Sequence, residues 1–62
     1  MAQFVKRQAP IIHEAVQLNE AAEVDTPEGT VIAKPLDWVV TDTAGEQHVY
    51  SPEVFHTLYD PA

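Results

Sequence analysis

Sixty-two residues make one domain, spanning 1–62, and a chain this short buries only about 60% of the surface its unfolded form exposes, so its stability margin is thin. The absence of cysteine excludes disulfides and thiolate zinc sites, while 45% apolar and 21% charged residues suit a folded globule better than a disordered tail. Ten acids face three bases for a net charge of −7, and from Gln8 onward ten acids meet only Lys34, a balance of −9, which speaks against direct nucleic-acid binding because that relies on Lys and Arg neutralising phosphates.

The opening "MAQFVKRQAP" carries two of the bases and lacks the apolar core of a signal peptide. Residues 1–8 are read as a loose leading segment. In "QAPIIHEAVQL", helical and strand spacings both fit in part, and the β-branched content favours a strand. "NEAAEVDTPEG" is polar and acidic, and reads as a loop with a turn at Pro27 and Gly29. "GTVIAKP" is a short strand ended by Pro35. "LDWVVTD" is another, with Trp38 and Val40 on one face and Val39 and Thr41 on the other. Apolar residues on both faces make it a central strand.

"DTAG" then turns the chain. Asp42 has a side chain that bonds its own backbone, and Gly45 suits the left-handed position that closes a type I turn with a bulge. "EQHVY" returns as the partner strand. In "YSPEVFHTLY", Ser51 is a helix N-cap, Pro52 fits the first helical position and Glu53 faces the helix dipole. Tyr50 and Phe55 occupy staple positions, and Val54, Phe55, Leu58 and Tyr59 form one stripe, predicting a helix over 52–59 that Asp60-Pro61 stops. Two turns cannot stand alone, so the helix must pack on the hairpin, with Phe55 and Leu58 near Trp38. Phe4 and Tyr59 are read either as exposed contacts or as packing groups. The fold class is α+β, mainly β: a small antiparallel sheet or partly open barrel of three to five short strands with one C-terminal helix.

Chemistry is harder to find. His13, His48 and His56 lie far apart and no pair has zinc-like spacing. Ser51 serves better as a cap than as a nucleophile. Asp37 and Glu46 are a carboxylate pair that would need a cleft, and the two isolated glycines form no phosphate loop. No enzyme activity, no metal and no cofactor are expected. No apolar stretch reaches the roughly 20 residues that span a bilayer, so a cytoplasmic protein without a membrane partner is expected.

The run Lys6-Arg7-Gln8-Ala9-Pro10-Ile11-Ile12-His13-Glu14-Ala15-Val16-Gln17-Leu18 resembles the start of a group of small tailed-phage and prophage proteins. Their close is a Pro-Gly-Asp-aromatic turn and strand, then Gly-Glu and Tyr, then Pro-x-x-Phe-x-x-x-Tyr-x-Pro. Pro35, Asp37, Trp38, Gly45, Glu46, Tyr50, Pro52, Phe55, Tyr59 and Pro61 match it. Leu36 departs from it, standing where the group has glycine, and the middle segment is shorter here. The resemblance covers about two thirds of the chain, by the residues quoted. It implies a phage origin and a small β-rich domain, and no general function comes with it.

The expected role is therefore that of a small accessory protein binding a host or phage protein stoichiometrically, as an inhibitor or adaptor, through a basic patch on that partner. The residues assigned to this contact are Glu20, Glu23, Asp25 and Glu28 of the middle segment, with Asp42 and Glu46 at the hairpin turn, because loops carry recognition more often than core strands do. Alternatives are a DNA mimic that occupies a nucleic-acid channel, and a virion, assembly or self-associating component.

Overall fold

A computed structural model describes residues 2–7 and 11–62. Among them the chain forms seven strands and one helix: β1 (Ala2–Lys6), β2 (Ile12–Gln17), β3 (Ala22–Thr26), β4 (Gly29–Ala33), β5 (Trp38–Thr41), β6 (Gln47–Tyr50), α1 (Pro52–Leu58) and β7 (Tyr59–Pro61). Five strands build one antiparallel sheet in the order β6-β5-β2-β1-β7, and β3 and β4 form a separate two-stranded ribbon. The mainly β class with a short C-terminal helix is thus as the sequence reads, with two more strands than the upper expectation of five.

β5 explains the layering. Side chains alternate along a strand, so Val39 and Val40 point to opposite faces, and both are buried. On one face Val40 joins Ala15, Phe55 and Tyr59, with Phe4, Trp38, Tyr50 and Leu58 packed around them. On the other, Val39 meets Val24 and Ala33 of the ribbon, with Leu18 and Val49 alongside. The helix covers one side of the sheet, and the β3–β4 ribbon covers part of the other.

The aromatic cluster carries the first core. Trp38 and Phe55 stack with centroids 4.1 Å apart and planes 2° from parallel, and Phe4 meets both edge-on at 5.2 and 4.9 Å. Such pairs add about 0.5–1.5 kcal/mol beyond the area they bury. Phe4 and Tyr59 are therefore packing groups.

The local signals of the C-terminal half hold. Ser51 Oγ accepts from the Val54 amide, Pro52 opens α1 and Glu53 sits in its first turn. Two boundaries differ from expectation. The helix ends at Leu58, and Tyr59 turns extended to begin β7, which pairs with β1 from Phe4 to Lys6. The leading segment is thereby strand β1, held between β2 and β7; Met1 and Gln8, which belonged to the same expectation, and Ala9 and Pro10, at the start of the run "QAPIIHEAVQL", lie outside the described residues. The "loop" of the middle segment is also a strand: Ala22–Thr26 pairs with Gly29–Ala33 around a two-residue connection, Pro27-Glu28. Val24 alternates with Glu23 and Asp25, so the acids face water while the valine is buried. Val54 is exposed, which narrows the helical stripe to Phe55 and Leu58, with buried Tyr59 following at the start of β7.

Candidate functional site

Four of the ten acids, Asp25, Glu28, Asp42 and Glu46, lie where two hairpin ends meet. The first end is the β5–β6 turn. Its backbone closes through the Asp42 amide to the Glu46 carbonyl at 2.9 Å and the Gly45 amide to the Asp42 carbonyl at 3.0 Å. Gly45 takes φ 84°, the left-handed conformation that glycine reaches without a Cβ penalty. Asp42 Oδ1 accepts from the amides of Ala44 and Glu46, each at 2.9 Å. Its Oδ2 lies 2.9 Å from His48 Nε2. A carboxylate only accepts, so Nε2 carries the proton. The His48 bond first, and the Glu46 and Ala44 amides after it, hold the Asp42 carboxyl below the usual carboxylate range. Glu46 is exposed, and its carboxylate, that of Asp42 and the His48 ring place one donor atom each within 4.8 Å of one another.

The second end is the β3–β4 turn. Thr26 Oγ1 donates to the Gly29 carbonyl at 2.7 Å, and Thr30 Oγ1 donates to Asp25 Oδ1 at 2.9 Å. Between the two ends lies an open cleft of about 460 Å³, with Asp25, Thr26 and Pro27 on one wall and Thr41, Gly45, Glu46 and Gln47 on the other. A smaller depression of about 270 Å³ beside it is lined by Thr26, Glu28, Val31, His48, Val49 and Tyr50.

The six acids assigned from sequence thus have different fates. Asp25 and Glu46 share the cleft, and Glu28 lines the neighbouring depression. Glu23 stands opposite Ile32 in the ribbon pairing and is exposed. Glu20 lies in the bend before β3, also exposed. Asp42 is half-buried and its oxygens are engaged by the turn and by His48, so it shapes the site more than it offers a free charge. Asp37 and Glu46 lie beyond opposite ends of β5, and Asp37 Oδ2 accepts from the Lys34 amide at 3.0 Å. The other two histidines have separate neighbours: His13 Nδ1 is 2.8 Å from the Tyr59 hydroxyl, and His56 meets Trp38 and Phe55 edge-on. Burial raises the Tyr59 phenol above its ordinary value.

Sequence reasoning passed over Thr26, Thr41 and Gln47, and weighed His48 only with His13 and His56. His48 left a signal in hindsight: Asp42, Glu46 and His48 are spaced across a predicted two-strand turn, which folds them onto one end. Nothing in the sequence announced that the β3–β4 end would lie against it.

The chain matches no family model, no curated protein and no solved structure. Among the described residues no helix is long and apolar enough to cross a membrane.

Proposed function

We propose that this chain is a small binding module, a phage-encoded accessory protein that docks on a basic patch of a host or phage protein in the bacterial cytoplasm and modulates or inhibits it. The observation that carries the reading is the cleft between the hairpin ends. Asp25 and Glu46 line it together, with Glu28 beside it, and none of its lining residues is basic. Threonine and glutamine side chains add neutral hydrogen-bonding groups to the same walls. Acidic surfaces of this kind steer cationic partners and fix their register more than they raise raw affinity. The sequence resemblance to small tailed-phage proteins supports a host or phage protein as the partner.

The test is capture from bacterial lysate with tagged protein. The wild type retains one or a few proteins in near-equal ratio, and charge reversal at Asp25 and Glu46 releases them while the far-ultraviolet spectrum is unchanged. Retention of nothing specific across independent captures, together with abundance in purified virions, would falsify the modulator reading in favour of a particle component.

A further inference from the structure

We propose that the end of the β5–β6 hairpin binds a divalent transition-metal ion of the zinc or nickel kind through Asp42, Glu46 and His48. The proposal does not rest on the partner reading above.

The donor set decides the class of ion. Sites built from oxygen alone suit magnesium and calcium, whereas an imidazole nitrogen among carboxylates suits zinc, nickel or copper. Here one imidazole nitrogen and two carboxylate oxygens already lie within 4.8 Å of one another. Around a tetrahedral zinc with ligand bonds of about 2.1 Å, neighbouring donors sit roughly 3.4 Å apart. The exposed Glu46 side chain swings inward to close its share of the difference, and the Asp42–His48 pair, 2.9 Å apart, opens by about 0.5 Å to admit the ion.

Two of the three donors are held in place by the fold. Asp42 Oδ1 is fixed by the Ala44 and Glu46 amides, which aims Oδ2 at His48. His48 is fixed by its position in β6, where it pairs with Val40. The ion takes the place of the proton between Nε2 and Oδ2. The neutral ring then carries its one proton on Nδ1, and the carboxylates stay ionised. Charge favours the exchange as well. Asp25 lines the same cleft as Glu46, and no lysine or arginine lines it among the described residues. Three protein donors leave at least one coordination position to water or another outside ligand.

Zinc chloride titrated into the full chain, followed by amide and imidazole NMR signals and by thermal melting, tests this. The expected result is one saturable event that moves the signals of residues 42–48, raises Tm and is far weaker with magnesium. Glu46→Gln leaves the Asp42–His48 bond intact and weakens zinc binding at least tenfold, and His48→Gln abolishes it. His13→Gln with His56→Gln binds zinc as the wild type does. The proposal fails if zinc produces no saturable shift at residues 42–48, if the signal follows His13 or His56 instead, or if Glu46→Gln binds zinc unchanged.

Discussion

Leu36 is the residue at which sequence and backbone disagree. It takes φ 75°, a region that costs an ordinary L-residue about 1–2 kcal/mol. The cause is the turn it sits in: the Asp37 amide donates to the Lys34 carbonyl at 3.1 Å, Pro35 takes the second position and Leu36 the third. That is the pattern of a type II turn, whose third residue needs positive φ and favours glycine. The side chain gains little in return, being 58% exposed. Leu36→Gly is therefore expected to raise the unfolding free energy by about 1 kcal/mol in urea titration; a loss of stability would show that the leucine packs better than its exposure implies. Asp42 gives a pH prediction at the same scale. Its folded pKa is depressed, so its contribution is present above the unfolded value of about 4 and is lost as pH falls through the folded one. Asp60 behaves in the same direction through the side-chain bond from Arg7, at 2.7 and 2.9 Å. Acid titration of stability is expected to show a decline below about pH 4, and Asp42→Asn to flatten part of it. An identical acid limb in that variant would remove the Asp42 clasp from the account.

Among the elements, those with punctuation of their own were legible. The β5–β6 hairpin has Asp42 and Gly45 at the turn, and α1 has Ser51 and Pro52 at its start. Both signals act within a few residues, so local chemistry is enough to fix them. β1 and β7 have no such signals. Their pairing joins Phe4 to Pro61 and Lys6 to Tyr59, a contact that exists only once the chain has closed on itself. Asp60-Pro61 reads as a stop, and it does end the helix, but Pro61 is tolerated because β7 is an edge strand. β3 reads as a loop for another reason. Its alternation of Glu23, Val24 and Asp25 fits a strand with one wet face, yet two acids beside Pro27 and Gly29 weigh toward a loop. The candidate site suffered the same limit: exposure of its acids follows from charge, whereas the meeting of Asp25 with Glu46 depends on how the ribbon lies on the sheet. If β7 closes the sheet as described, truncation after Leu58 removes buried Tyr59 and the β1 pairing together. Circular dichroism of that variant is expected to show no cooperative melt. Phe55→Ala, which empties a fully buried site, is expected to cost about 3–5 kcal/mol. Val54→Ala, on the exposed side of the same helix, should stay within about 0.5 kcal/mol.

For the molecule as a whole, charge and size act together. The domain measures 28 × 22 × 18 Å and carries a net charge of −7. At roughly 0.01 M salt the screening length is about 30 Å, so every carboxylate feels every other across the full width. At about 1 M it falls to about 3 Å and only contacting pairs interact. Among the described residues the attractive pairs are few: Arg7–Asp60 is half exposed and worth little, and His48–Asp42, with the ring uncharged, is a hydrogen bond to a carboxylate and not an ion pair. Repulsion is spread over the surface and dominates the balance. Tm is therefore expected to rise as sodium chloride increases from about 0.01 to about 1 M. Capture of a basic partner depends on the same field with the opposite sign, so it should weaken over the same range. Measuring both on one preparation separates the two consequences. A Tm that falls with salt would mean that the close pairs outweigh the net repulsion, and capture that persists at high salt would mean that the contact is carried by apolar groups such as Ile32, 73% exposed on the outer face of the ribbon.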